Sequence, residues 1–486
     1  MHLTGKVQLD SGFCFDYANM LGKDLIKEQD LEQITERIST ATRGIAKIRD
    51  LGYAKGHLSK DGEPEPVFFT KLPEIKAGNP NTPESIARLK DYARQVWETK
   101  EVIIFFGIGG SYLGGKVLFD IQAGAFWNQK KPLERKGFPK VFFSGNNLDA
   151  DQDYALLEEL VRQAQYKKLA NQGKTKVLLI PITKSGTTIE TLTSFIYFFE
   201  QMKLANTLFE FDVTVVSEQC KNSHDNVLVR LAKEHKWEIF DIQKGIGGRF
   251  CIFSNPGLLT AALVGMDIEE LLRGAREMEL ACQDDDVLKN PALLNATLKY
   301  IASEKYGCDI EVLMPYSMRL KSLGEWYVQL LAESLGKKKN KLGKIVNYGR
   351  TPIAAVGTTD MHAQTQQHQD GRRNKVIQFI DIAEKDTKIY LKNPFPEVKE
   401  FDKFSGMGVD EALKLALAAN AQALSEDKRF NAQYCLPKLS PYYVGQLLYF
   451  LMLSVVYEGE LADINAFDQP GVEAYKRIMK EKMQCD

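Results

Sequence analysis

From about residue 100 onward the chain alternates short apolar runs with longer stretches of mixed polar and apolar residues. The first series of runs spans 102–106, 140–143, 176–182, 212–216 and 237–242. A turn and a polar–apolar periodic stretch follow each run. The pattern therefore predicts buried parallel strands alternating with helices. A break is expected after Gly257, then a helix over 266–280 with Asp267 as N-cap and Glu269 and Glu270 in its first turn. A second series, 310–314, 351–356 and 375–382, predicts another α/β unit of similar kind.

The flanks read differently. Residues 30–51 have helical character, whereas 60–83 are rich in Pro, Gly and Asn and read as loop. The apolar run 447–457, interrupted by Ser454, is too short to cross a bilayer and reads as a buried helix. The last stretch reads as two helices around a turn at Gln469, Pro470 and Gly471. The expected organisation is a helical and loop segment at 1–95, α/β subdomains at 96–260 and 280–440, and a helical segment at 441–486.

Composition narrows the partners. The 486 residues carry a formal net charge of -1 at pH 7, so no basic excess points to nucleic acid or to an anionic membrane. The seven cysteines (14, 220, 251, 282, 308, 435 and 485) are scattered and form no C-x-x-C pair, which fits a reducing compartment. The residues from Met1 to Lys6 lack the apolar core of a signal peptide. A cytoplasmic location is the resulting expectation.

Two turns follow predicted central strands, where open parallel sheets bind ligands. In the first, residues 107–115 read GIGGSYLGG. Residues 110–116 match G-x-x-x-x-G-K, but Val117 stands where a nucleotide loop needs Ser or Thr to hold magnesium. Leu113 likewise breaks the dinucleotide spacing G-x-G-x-x-G. Tight strand-to-helix packing and anion binding remain as readings of this turn. The second turn, 183–188 (TKSGTT), offers four hydroxyls, a lysine and a glycine. A helix cap needs one or two such residues; a phosphate, with several acceptor oxygens, uses more. The turn therefore reads as a phosphate holder.

At this point the chain resembles a known family. Residues 107–114 (GIGGSYLG), 183–188 (TKSGTT), 247–250 (GGRF), Glu325 with Trp326, Glu333 with Ser334, Gly336 with Lys337, and 467–473 (FDQPGVE) stand in the order found in bacterial-type glucose-6-phosphate isomerases. The resemblance runs from about residue 100 to the C-terminus. It implies two sugar-isomerase (SIS) α/β subdomains with parallel sheets flanked by helices. It implies interconversion of glucose 6-phosphate and fructose 6-phosphate in a homodimer, with no metal and no other cofactor.

The resemblance also implies roles. Glu333 would carry the proton between C2 and C1, as a carboxylate partly desolvated by its apolar helix can. Arg249 would stabilise the enediolate with a permanently charged fork of donors. His362 and Lys476 would open the sugar ring, His362 reaching the site of the neighbouring subunit. Gly110, Ser111, Thr183, Lys184, Ser185 and Thr188 would bind the phosphate. Glu190 would hold the site or meet a sugar hydroxyl, and Gln469 would bond the sugar. The chain departs from the family pattern at Ala332, Leu335 and Tyr327-Val328 around Glu333, and at Ala363 beside His362. The lysines of 337–341 read as a solvated loop. The alternative reading is a non-catalytic SIS-type sugar-phosphate sensor, which needs the turns but not Glu333, Arg249, His362 and Lys476 together.

Overall fold

The structure is a computed structural model that describes residues 2–59, 61–219 and 226–483. Cys220, His224, Cys485 and the end of the C-terminal segment lie outside the described residues. The chain forms two compact units, residues 66–272 and residues 1–65 with 273–486.

The unit of residues 66–272 is built on a five-stranded parallel sheet. Its spatial order is Lys140–Ser144, Val102–Phe106, Thr175–Pro181, Phe209–Ser217, Glu238–Asp241. All five residues of Val102–Phe106 are buried, as expected of a strand covered on both faces. Val102, Ile104 and Phe106 share one face through the two-residue period of a strand. They pack with Leu179, Phe195 and Phe198 in one core cluster. Asp267 accepts from the backbone N–H groups of Glu269 and Glu270, the expected cap of helix Ile268–Ala281. The break expected after Gly257 is absent. Gly257 lies inside helix Asn255–Leu263, where a Cβ would sit 2.0 Å from the Ile252 carbonyl oxygen. The glycine marks a close approach of two segments, not a chain break.

The other unit carries a six-stranded sheet. Its order is Lys6–Gln8, Cys14–Asp16, Asn431–Lys438, Lys375–Glu384, Ile310–Pro315, Thr351–Ala354. The last four strands are parallel, and the first two run antiparallel at one edge. The α/β class and parallel sheets flanked by helices match the expectation. The two N-terminal strands do not follow from the sequence pattern, because three residues are too few to show a strand period. Phe15 fixes them, with its ring 5.6 Å from that of Tyr434. Helix Pro441–Leu461 is long and apolar enough by composition to cross a membrane, yet 94% of its most apolar window is buried inside the protein. The buried-helix reading holds; the apolar run is longer than the expected 447–457.

A buried ionic network ties four elements of this unit together. Glu311 on strand Ile310–Pro315 pairs with Lys299 and, at 2.6 Å, with Arg350. Arg350 also donates to Glu458 of helix Pro441–Leu461 at 2.8 Å. Tyr327 of helix Lys321–Leu335 donates to Glu311 at 2.7 Å. Burial alone would raise the Glu311 carboxyl, but Lys299 and Arg350 overcome it and pull it down to about 2. The Glu333 helix thus hangs on a charged core through Tyr327.

Candidate active site

In the unit of residues 66–272, three segments meet beside the carboxyl ends of strands Val102–Phe106 and Thr175–Pro181. The first is the glycine-rich turn. Gly109 to Ser111 form one 3-10 turn leading into helix Leu113–Ala123, and Gly109 has a left-handed φ of 58°. A Cβ on Gly110 would lie 2.0 Å from the carbonyl oxygen of Gly248. The glycine-rich turn and the GGRF segment therefore touch backbone to backbone, which requires glycine at 110. Cys251 adds a sulfur contact of 3.1 Å to the Gly110 carbonyl. Ser111 is half-buried, and its hydroxyl bonds to no other group among the described residues.

The second segment is the TKSGTT turn. The Thr183 and Thr188 hydroxyls lie 2.6 Å apart, and those of Ser185 and Thr187 lie 3.0 Å apart. Each pair consumes one hydroxyl proton and leaves the other for a ligand. Thr188 is the N-cap of helix Ile189–Leu204, but its side chain does not cap it. The helix-cap reading therefore fails for this threonine, and the positive end of the helix has no side-chain cap. Thr183 is buried, whereas Lys184 and Ser185 are exposed. Glu190 sits in the first helical turn. A carboxylate there repels a phosphate, so it suits a sugar hydroxyl better.

The third segment is the GGRF stretch. Arg249 is buried, with its guanidinium 5.4 Å from the Phe250 ring centre. Lys184 Nζ reaches the carbonyl of Ile246, just before this stretch, at 3.3 Å. Sequence reasoning missed the group that fixes the TKSGTT turn from behind. Buried Asn226 donates to the Lys184 carbonyl at 3.3 Å and to Ser217 Oγ at 2.7 Å, and its side chain caps helix Val227–His235. A Cβ on Gly186, whose φ is 71°, would lie 2.0 Å from Asn226 Oδ1. An Asn directly before a helical run was the available signal.

The unit of residues 1–65 and 273–486 holds the remaining candidates. Glu333 is half-buried in the last turn of helix Lys321–Leu335, and Gln329 donates to its Oε1 at 3.1 Å. Lys337 is not a solvated lysine, contrary to expectation. It is buried and donates to the Glu333 carbonyl and, at 2.7 Å, to the Asp468 carbonyl. Lys341 is likewise tied, at 2.6 Å, to Glu460. Orphan carbonyls at a helix end attract such donors, which a count of charged residues does not show. Lys337 thus joins the Glu333 helix end to the FDQPGVE segment, where Gln469 is exposed. His57 stands 5.7 Å from the Phe467 ring of the same segment.

His362 and Lys476 stand apart from this clamp. His362 is exposed on helix Thr359–Gln369. Lys476 is exposed on helix Pro470–Met483, 3.4 Å from Glu473. Of the departures from the family pattern, Ala332 and Ala363 are exposed and Leu335 is fully buried. Among the described residues, no group of three or more His, Cys, Asp or Glu side chains could hold a metal ion.

The phosphoglucose isomerase family profile matches residues 88–484. This chain belongs to the phosphoglucose isomerase family. The glucose-6-phosphate isomerase of Carboxydothermus hydrogenoformans is 32% identical over 458 residues, covering 94% of this chain and 90% of that protein. Among solved structures, a hypothetical protein of Thermus thermophilus aligns with a TM-score of 0.77 at 26% identity, covering 97% of this chain and 99% of that one. A glucose-6-phosphate isomerase of Chlamydia trachomatis aligns with a TM-score of 0.76 at 22% identity, covering 99% of this chain and 90% of that one. Nothing in these likenesses supports the sensor alternative. All residues that carried the phosphoglucose isomerase resemblance lie within the matched span.

Proposed function

We propose that this chain interconverts glucose 6-phosphate and fructose 6-phosphate by proton transfer through an enediolate. The observation that carries the reading is membership of the phosphoglucose isomerase family over residues 88–484, with both phosphate turns and Glu333, Arg249, His362 and Lys476 all present. In this account the TKSGTT turn and Ser111 hold the phosphate through hydroxyl and backbone donors at a helix N-terminus. His362 and Lys476 exchange the protons of ring opening. Glu333 then removes the C2 proton and returns it to C1. Arg249 offers its fork of donors to the charge that develops on the enediolate oxygens. Gln469 bonds a sugar hydroxyl.

The direct test is a coupled assay with fructose 6-phosphate supplied, glucose 6-phosphate detected and EDTA present. Turnover is expected. Binding of fructose 6-phosphate without turnover would replace this reading with the sensor.

The active form in this account is a cytoplasmic homodimer in which His362 serves the neighbouring subunit's site. The exposure of His362 on a polar helix supports this. Mixing inactive Glu333→Gln and His362→Ala chains should restore activity, because hybrid dimers regain one complete site. A mixture that stays inactive despite subunit exchange would place His362 in its own chain's site.

A further inference from the structure

The amino ends of the parallel strands in the unit of residues 1–65 and 273–486 hold a feature that the proposed isomerisation does not use. A cavity of about 430 Å³ opens beside the first residue of strand Lys375–Glu384 and the residue preceding strand Asn431–Lys438. Five basic side chains line it: Arg372, Arg373, Lys375, Lys428 and Arg429. One acid, Asp24, lines it and pairs with Lys428. A second, Asp427, is shared between Arg373 at 2.9 Å and Arg429 at 2.8 Å. A third, Asp309, acts on Lys375, so five bases less these three carboxylates leave two positive charges around the cavity.

The unmet charges sit on particular groups. Arg372 is exposed, and its side chain has no acceptor among the described residues. Lys375 is only 7% exposed, and its ammonium donates to two neutral oxygens, the Arg372 carbonyl at 3.2 Å and Asn374 Oδ1 at 2.9 Å. An ammonium has a third hydrogen to give. His368, 3% exposed, lines the same cavity with an Nδ1 that has no hydrogen-bond partner. Burial first, and Lys375 second, push its imidazole down to about 4, so it is neutral near pH 7. Buried charges and buried polar atoms are normally paired. A negative group would meet the Lys375 ammonium and the Arg372 guanidinium together.

The other walls limit what that anion is. Tyr306 and Phe430 meet edge to face at 5.3 Å, and Leu25 and Ile377 add apolar surface. The volume suits a small ligand rather than a bare ion. Helix Thr359–Gln369 carries His362 in its first turn and His368 near its end, about 9 Å apart along the axis. The cavity therefore opens at the amino ends of the strands, opposite the carboxyl ends where α/β sheets usually bind substrate.

We propose that this cavity binds a phosphate-bearing small molecule, with Arg372 and Lys375 meeting the phosphate and the Tyr306–Phe430 wall taking the organic remainder. The test is calorimetric titration of the full chain with inorganic pyrophosphate at low ionic strength. Ser185→Glu serves as background, to close the TKSGTT turn to anions. One saturable site per chain is expected in that background. Arg372→Glu should weaken it by more than about tenfold, and Lys375→Gln should act in the same direction. Because Arg372 is exposed, its variant keeps the test valid if Lys375→Gln fails to fold. Absence of saturable binding in the Ser185→Glu chain would overturn the proposal. So would an Arg372→Glu chain that titrates like its parent.

Discussion

Two groups of charged residues in the same unit make opposite use of charge. Lys299, Glu311, Arg350 and Glu458 have side chains almost wholly buried and paired with one another. His362 and Lys476 are exposed, and Lys476 lies beside a neighbouring surface glutamate, Glu473. The first group is locked: each charge is held by its counter-charge, and although burial pushes the Glu311 carboxyl up, Lys299 and Arg350 overcome it and hold it low. The second stands open to solvent on two helices. Charge marks chemistry only where it is not already satisfied by the fold. By the same logic the basic cavity, with charges outnumbering partners, reads as a ligand site.

Breaking the locked group should have the largest effect on stability. Arg350→Met leaves Glu311 and Glu458 buried with fewer partners. It should cost about 3–5 kcal/mol, read from urea unfolding. Acid should attack the same network. The Glu311 carboxyl is held at about 2 in the folded state against an ordinary value of 4.5. The unfolded chain therefore takes up its proton first, and the stability from Glu311 is complete above pH 4.5 and lost as pH falls toward 2. Unfolding midpoints measured across that window should decline in the parent more steeply than in Glu311→Gln.

The glycine-rich turn lies between the extremes. Gly110→Ala forces a methyl into the Gly248 backbone and should cost about 1–3 kcal/mol, with weaker sugar-phosphate binding seen by titration. The smallest stability effect belongs to the exposed pair. His362→Ala and Lys476→Ala should each stay within about 0.5 kcal/mol of the parent in thermal unfolding. Both should nonetheless lose about 100-fold or more in turnover. A large stability loss in either would erase the contrast between the two groups.

Much of this contrast was legible in the sequence, unevenly. Strands such as Val102–Phe106 were readable because a short continuous apolar run between turns fits little besides a buried strand. The TKSGTT turn stood out because it has more hydroxyls than a cap uses. Cys14–Asp16 was not readable, since the strand it pairs with, Asn431–Lys438, lies some 420 residues away, and Lys6–Gln8 pairs with Cys14–Asp16 over too few residues to show a strand period. Gly257 misled because a glycine required by close packing looks like one required by a turn. Lys337 misled because a lysine run resembles a wet loop until the helix-end carbonyls beneath it are known. The buried network was invisible for the same reason: Glu311 and Arg350 are ordinary charged residues until the fold buries them together.

The central claim is that the phosphate is held by one set of residues and the proton moved by another. Glu333→Gln separates the two, because the amide keeps the shape and the Gln329 contact region but cannot take a proton. Steady-state turnover of fructose 6-phosphate should fall by about 100-fold to 10,000-fold in this variant. The dissociation constant of a non-isomerisable sugar-phosphate inhibitor should stay within about threefold of the parent. A variant that turns over at the parental rate would contradict the assignment of Glu333 as the base.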